Sequence, residues 1–304
     1  MGTSRLHGVR PGLVGVFAGS LETRPVEMQR VVAREIERLG FGALWYGEWF
    51  ARESFAQAAI LLAATDRLVV GSGIAIIWVR DPMAMANGAR ALAEAWPNRF
   101  ILGLGASHAR TVEARGHHYE RPYSTMAAYL EALEVARWVG PEVELPPVVL
   151  AALGPRMAAL AATRTAGVYP YFTTDDQVRA MRRAIGEEPF LVSDLPVVLA
   201  DDRRVAREIG DPYIHYYLTE ENYRNNLLRL GFDESDVEPP GSDALFDAVV
   251  AWGDPARVQR GIERRLEAGA DHVVLNIVTE DPDRSYVPVL EGLAPVVRAI
   301  EDRP

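Results

Sequence analysis

The chain contains no cysteine among its 304 residues. Disulfides, thiolate nucleophiles, cysteine-ligated zinc and iron–sulfur clusters are therefore excluded together. Residues 1–12 also lack the apolar core of a secretory signal. Because a chain without disulfides suits a reducing compartment, we expect a cytoplasmic protein.

Long apolar runs and an excess of positive charge are missing as well. No uninterrupted apolar run reaches the roughly 18 residues that a membrane helix needs, so we expect no membrane partner. The net charge is −10, which argues against nucleic acid as a partner because nucleic-acid binders usually present a basic surface. An anionic cofactor would need local arginines and helix N-termini to overcome this charge.

What the chain has instead is a regular alternation of β-rich runs and amphipathic helical runs. The pattern predicts strands over residues 13–17, 41–46, 68–74, 99–104, 147–151, 167–172, 195–200 and 272–278. It predicts helices over residues 25–39, 55–64, 82–95, 124–139, 155–165, 174–185, 255–268 and 286–300. About eight such units predict a (β/α)₈ TIM barrel, favoured over an open doubly wound sheet, in one domain over residues 1–304.

Two stretches interrupt this alternation. Residues 107–123 follow the fourth predicted strand, and residues 210–252 follow the seventh. Long insertions in compact domains are usually lids or binding loops. Since loops after barrel strands lie at the catalytic end, we expect both insertions to cover an active site.

Glu48 and Trp49 follow the second predicted strand. We interpret Glu48 as a proton carrier or orienting group and Trp49 as a wall of the pocket. The alternative is a solvated carboxylate beside an indole that packs under its loop.

The third predicted strand ends with Gly71, Gly73, Ile74 and Ala75. Two glycines in a buried strand are costly unless the backbone bulges or approaches something closely. The pattern indicates a bulge or a strained, cis peptide that supports a flat ring.

The fourth predicted strand ends with Gly105, Ala106, Ser107 and His108. A dinucleotide fingerprint would need a glycine where His108 stands. A nucleophile elbow around Ser107 would need a glycine where Ala109 stands. We favour a turn of small residues whose backbone N–H groups contact a phosphate while His108 faces the ring.

The fifth predicted strand leads into Gly154, Pro155, Arg156 and Met157, which open a helix. Free N–H groups at this helix start, with Arg156 adjacent, predict an anion site.

The other histidines do not predict a metal site. Adjacent His117 and His118 point in different directions, and no second cluster supports them. His272 begins a strand and should lie at the stabilising end of the barrel, away from the chemistry.

Several segments together resemble the luciferase-like monooxygenase superfamily, and within it the F420-dependent oxidoreductases of actinobacteria. These segments span nearly the whole chain in the family's order: residues 40–45, 70–74, 98–105, 151–155, 253–255 and 268–273. The resemblance implies a flavin-type ring at the C-terminal end of the barrel, backed by a cis peptide between Gly73 and Ile74. It also implies that residues 105–108 and 154–157 lie near the cofactor's phosphate and ring.

The resemblance further implies that Glu48, Trp49 and His108 occupy positions that assist proton movement, although relatives often carry Asp and His where Glu48 and Trp49 stand. Tyr223 and Arg224 would belong to a lid over the substrate. The expected reaction is hydride transfer between coenzyme F420 and a small organic substrate, in a homodimer. The alternatives are an FMNH₂-dependent monooxygenase, with FMN as cofactor, a hydrolase that uses Ser107, and a barrel that has lost catalysis.

Overall fold

The computed structural model describes residues 5–303 and forms a closed barrel of parallel strands. Its strands are β1 (Val14–Phe17), β2 (Ala43–Tyr46), β3 (Val69–Ser72), β4 (Ala75–Ile76), β5 (Phe100–Gly105), β6 (Val148–Ala151), β7 (Gly167–Tyr169), β8 (Phe190–Val198), β9 (Ala251–Trp252) and β10 (His272–Ile277). β10 pairs with both β1 and β8, which closes the ring. β4 and β9 are short additions that pair with β5 and β8. The predicted TIM barrel is therefore confirmed.

Helices cover the outside of the barrel. They are α1 (Val26–Leu39), α2 (Ser54–Leu62), α3 (Pro82–Ala95), α4 (Ala109–Glu113), α5 (Pro122–Glu134), α6 (Pro155–Arg164), α7 (Asp175–Ile185), α8 (Arg203–Leu218), α9 (Glu221–Arg229), α10 (Asp243–Val249), α11 (Pro255–Glu267) and α12 (Pro282–Glu301). Local chemistry sets several ends: Asp81 caps α3 by accepting from the Ala84 amide, and Gly40 ends α1 in the left-handed conformation. Across residues 5–303, no helix combines the length and apolar character needed to cross a membrane.

Side chains fill the barrel interior near its N-terminal end, where Trp45, Val69 and Ile101 pack together. His272 lies in this layer and is fully buried. Its Nε2 accepts from Trp45 Nε1 at 3.0 Å, and its Nδ1 donates to the Gly12 carbonyl at 2.9 Å. His272 is thus a core residue away from the barrel mouth, as predicted.

Three predicted boundaries were wrong. The third strand is broken after Ser72 by the cis peptide and resumes as β4. β8 begins at Phe190 rather than at residue 195, because the polar Ser193 and Asp194 are buried within it. α5 ends at Glu134 rather than at residue 139, since the chain then turns and Trp138 Nε1 bonds the Pro141 carbonyl.

The second insertion begins earlier than residue 210. α8 starts at Arg203, where the Asp202 side chain accepts from the Val205 amide, and it continues through Pro212. The insertion packs against Phe172 after β7, Val198 at the end of β8 and Trp252 of β9. We call this apolar cluster the lid cluster; its other members include Ile214, Leu218, Leu227 and Phe246. This packing places α8–α10 over the C-terminal end of the barrel.

Candidate active site

Two adjoining cavities open at the C-terminal ends of the strands. The inner chamber has a volume of about 190 Å³. The residues that line this chamber alone are Phe17, Glu22, Gly47, Glu48, Trp49 and Gly73. The outer chamber has a volume of about 340 Å³ and extends along Ala106, Tyr119, Leu153, Gly154 and Met157. Both chambers share Ile74, Ser107, His108, Ala151, Tyr169, Tyr171 and Tyr223. Together they have the size of a small-molecule site at the end where barrel enzymes work.

Most of the predicted site residues meet in these chambers. Four others, Ala75, Gly105, Pro155 and Arg156, lie directly beside lining residues without lining either chamber themselves. Of the predicted lid pair, Tyr223 lines both chambers, whereas Arg224 pairs with Glu234 inside the lid. Most of the residues singled out at strand ends therefore lie together at one end of the barrel, and their roles stay predictions.

The wall between the chambers is built around the Gly73–Ile74 peptide, which is cis as expected. Ile74 faces both chambers. A Cβ atom at Gly105 would lie 2.6 Å from Ile74 Cγ1, so glycine on β5 leaves the room that Ile74 occupies. The end of β5 therefore sets the position of this wall.

Glu48 is buried, and its carboxylate is fully engaged. It accepts from the Ser54 amide at 3.0 Å and the Ile76 amide at 2.8 Å. Both carboxylate oxygens also bind the guanidinium of Arg80. Of the two roles considered for Glu48, these contacts favour the orienting one, because the bond to Ile76 holds the segment that follows the cis peptide.

Glu22 is a buried acid that the sequence reasoning missed. It lies in a short 3₁₀ helix (Gly19–Thr23) after β1 and lines the inner chamber. Burial and the nearby Glu48 raise its pKa to about 7, although the amides of Gly47 and Trp49 donate to it and act in the opposite direction. Its position just after a barrel strand was the available signal.

Aromatic side chains form the opposite wall. The Tyr171 hydroxyl bonds those of Tyr217 at 3.0 Å and Tyr213 at 3.3 Å, and it accepts from Asn276 Nδ2 at 2.7 Å. Tyr169 is 2% exposed, and its hydroxyl has no hydrogen-bond partner in the described structure. Since a buried hydroxyl without a partner is costly, this atom is available to a bound molecule.

His108 connects the barrel to the lid. Its Nδ1 lies 3.2 Å from Asn222 Oδ1 and 3.8 Å from a Glu220 carboxylate oxygen. Its ring packs 5.5 Å from that of Tyr223. Burial lowers the pKa of His108, while Glu220 and Asn222 oppose that shift. His108 lines both chambers, and its hydrogen bond is to Asn222 of the lid.

The far end of the outer chamber carries positive charge. Gly154 caps α6 without a side-chain hydrogen bond, which leaves the helix N-terminus open. Guanidinium nitrogens of Arg229 lie 4.0 Å from the Cβ position of Gly154. Arg156 stacks on the Tyr123 ring at 4.4 Å. Within residues 5–303, neither arginine pairs with a carboxylate, and Arg229 donates to the Leu153 carbonyl and to Asn226 Oδ1. Neither positive charge is therefore neutralised by an acid of the described chain.

Ser107 does not form a catalytic triad. It lines both chambers with a positive φ of 60°, but in the described structure its hydroxyl bonds no histidine. His117 and His118 are exposed loop residues. No group of three or more His, Asp or Glu side chains in residues 5–303 is arranged to hold a metal ion.

Comparison with known proteins finds relatives among oxidoreductases. A protein of Mycobacterium tuberculosis named as a putative coenzyme F420-dependent oxidoreductase is 23% identical, covering 86% of this chain and 94% of that protein. The 5,10-methylenetetrahydromethanopterin reductase of Methanolobus tindarius is 24% identical over 45% of this chain and 47% of that protein.

Solved structures share the fold. An F420-dependent secondary alcohol dehydrogenase, in complex with an F420-acetone adduct, superposes with a TM-score of 0.75 at 16% identity, covering 96% of this chain and all (100%) of that one. The FMN complex of a Baeyer–Villiger monooxygenase constituent from Pseudomonas putida reaches a TM-score of 0.72 at 14% identity, covering 97% of this chain and 99% of that one. The family model for luciferase-like monooxygenases matches residues 13–272. With this match over most of its length, the chain belongs to the luciferase-like monooxygenase family.

Proposed function

We propose that the protein is an F420-dependent oxidoreductase that transfers a hydride between the deazaflavin and a small organic substrate. One observation carries this proposal: two joined chambers meet at Ile74, and the unpartnered hydroxyl of Tyr169 lies in their shared lining. The name of the Mycobacterium tuberculosis relative, which aligns along nearly its whole length, supports the choice of cofactor.

The chambers fit a flat, polar ring. Ile74 lines both chambers with an apolar side chain, and Tyr169 and Tyr171 belong to the same shared lining. Pyrimidine-type rings carry several carbonyl and N–H groups at their edge. The Tyr169 hydroxyl would gain the hydrogen bond that it lacks in the protein alone.

The positive end of the outer chamber fits an anionic tail. The open N-terminus of α6, Arg156 and Arg229 together offset the overall charge of −10 at this place. FMN ends in one phosphate, whereas F420 continues into lactyl and glutamyl groups. Two outward-facing arginines therefore favour the longer, more anionic cofactor.

When bound, the deazaflavin supplies or accepts a hydride at carbon, and the protein's own residues provide position and shielding. Glu48 and Arg80 hold the segment after the cis peptide. Tyr223 and the lid cluster cover the chambers and limit the access of water.

The proposal is tested by following re-oxidation of reduced F420 with a panel of neutral carbonyl and imine acceptors, with and without oxygen. We expect protein-dependent re-oxidation that needs the organic acceptor and not oxygen. In a Gly105→Val variant the new side chain would displace Ile74, so this variant should not re-oxidise reduced F420. Oxygen consumption with reduced FMN instead would assign the protein to the monooxygenases.

A further inference from the structure

The Glu22 carboxyl is held at the inner chamber by backbone amides from the neighbouring strand end. The amides of Gly47 and Trp49, just after β2, donate to it. A Cβ atom at Gly47 would lie only 2.7 Å from Glu22 Oε1. Glycine at position 47 therefore allows the carboxyl to approach the backbone, and this contact orients it in the cavity wall.

The other carboxylate and the imidazole that line the inner chamber are already engaged. Glu48 binds Arg80 with both oxygens and receives two backbone amides. His108 is bonded to Asn222 of the lid. Glu22 has no guanidinium on its carboxyl in the described structure; the guanidinium of Arg52 binds the Glu22 backbone carbonyl instead. Glu22 is thus the chamber acid whose proton is free to exchange.

Several charged or titratable groups surround Glu22. Glu48 faces it from the β2 loop, with Arg80 behind Glu48. The Arg52 guanidinium binds the backbone carbonyl of Glu22, and Tyr217 of α8 interacts electrostatically with the Glu22 carboxyl from the lid. The net result is a pKa of about 7, so both protonation states are populated at neutral pH.

We propose that Glu22 is the catalytic acid–base residue of this site and that the substrate is a neutral molecule with a carbon–oxygen or carbon–nitrogen double bond. The inference rests on the proposed function. In the reducing direction, the heteroatom of the substrate would take the proton of the Glu22 carboxyl while the substrate carbon receives the hydride that bound, reduced F420 would supply. The double bond would become a single bond, the cofactor would release its second hydrogen to solvent as a proton on becoming oxidised F420, and the Glu22 carboxylate would be reprotonated from solvent.

The charge of the chamber selects the substrate class. Among the residues that line the inner chamber, none is Lys or Arg, and the pKa of His108 is lowered. An anionic substrate would therefore be desolvated beside Glu22 without a cation to compensate. A neutral, partly aromatic molecule suits a wall that contains Phe17, Trp49 and Tyr171.

A neutral aryl diazoacetamide tests proton donation directly, because it forms an ester only after a carboxylic acid protonates its diazo carbon and the carboxylate displaces N₂. We expect mass spectrometry to find the ester at Glu22 at pH 7. The rate should exceed that of exposed glutamates by roughly 100-fold, since their pKa near 4.3 leaves well under 1% protonated. Labelling should fall as the pH rises above 7.

The matched variants are Glu22→Gln and Glu27→Gln. The amide of the Glu22→Gln variant keeps an oxygen acceptor for the two backbone N–H groups, so this protein should fold, which circular dichroism checks, but it should not be labelled at that position. Glu27 is an exposed acid on α1, outside the chambers, so its variant should label at Glu22 as the wild type does. Labelling of Glu22 no faster than that of exposed acids would overturn the inference.

The same preparations are titrated with F420. If F420 binds and Glu22 is not labelled, the acid–base inference fails while the proposed function stands. If F420 does not bind, the proposed function fails whatever the labelling shows, and the inference fails with it. With a neutral acceptor that re-oxidises reduced F420, Glu22→Gln should lower kcat by at least about 100-fold with little change in F420 affinity.

Discussion

The carboxylate of Glu48 and the guanidinium of Arg80 form a two-armed, buried ion pair beneath the inner chamber, with Arg80 Nη1 3.0 Å from Glu48 Oε2. Glu53 contacts the same guanidinium from the more exposed side. Because Glu48 also accepts from the Ile76 amide, the pair links the β2 loop to the segment that follows the cis peptide.

The first prediction concerns this pair. Glu48→Gln leaves the Arg80 charge buried with a weaker partner, and removing one member of a buried pair typically costs about 3–5 kcal/mol. Since Glu53 remains, we expect the free energy of unfolding in urea to fall by about 3 kcal/mol. Glu208→Gln, which breaks the exposed pair with Arg204, should cost under about 0.5 kcal/mol. Equal effects of the two variants would contradict the buried-pair account.

Stability should also fall in acid because of His272. Burial lowers its pKa to about 4, below the reference value of about 6.5. Because the folded protein keeps His272 neutral, the unfolded chain takes up the proton more readily as the pH falls below about 6.5. The free energy of unfolding is therefore highest above pH 6.5 and decreases as the pH falls towards 4. At about 1.4 kcal/mol for each pKa unit, the loss is about 3 kcal/mol.

Urea unfolding at several pH values measures this effect. His272→Asn should be less stable at pH 7 but should lose this part of the pH dependence. His215 is exposed on α8, so His215→Asn should keep the wild-type profile. An unchanged pH profile in His272→Asn would show that another group is responsible.

The Tyr169→Phe variant should weaken F420 binding without lowering the stability of the protein. Because the Tyr169 hydroxyl has no partner in the described structure, its removal should leave the free energy of unfolding unchanged or raise it by up to about 1 kcal/mol. F420 affinity should fall by about 3- to 10-fold, because the variant cannot form the one hydrogen bond that the hydroxyl would make to the cofactor. Tyr46→Phe is the control: it removes a bond to the Ser54 carbonyl and should cost stability without changing affinity.

Arg156→Gln tests the anionic end of the site. Arg156 is exposed and in the described structure has no carboxylate partner, so the protein should keep its stability. F420 affinity should fall by about 3- to 10-fold at low salt, and the difference should shrink as salt screens the charge. Arg179→Gln, on α7 away from the chambers, should bind F420 as the wild type does. A loss of affinity that is independent of salt would argue against a charge contact.

The barrel could be predicted from the sequence because the alternation of apolar strands and amphipathic helices repeats along the chain. The errors fell where side-chain contacts in the folded chain override the pattern of apolar and polar residues. Asp194 reads as a surface residue, yet inside β8 it is fully buried and accepts from Thr173 Oγ1. The end of α5 at Glu134 likewise depends on a turn held by Trp138.

Side-chain roles were harder to predict than site location. Strand-end reasoning found Glu48, Ser107 and His108, but the sequence does not show that Arg80, distant along the chain, neutralises Glu48. Glu22 was missed because its pKa depends on burial that only the folded chain creates. The homodimer, the single domain and the cytoplasmic location stay predictions.

Equilibrium titration of the purified protein with oxidised F420 and, separately, with FMN tests the central claim most directly, using cofactor fluorescence as the signal. Our account predicts micromolar binding of F420 and much weaker binding of FMN, because Arg156 and Arg229 extend the positive end of the site outward. A preference for FMN, or binding of neither cofactor, would contradict it.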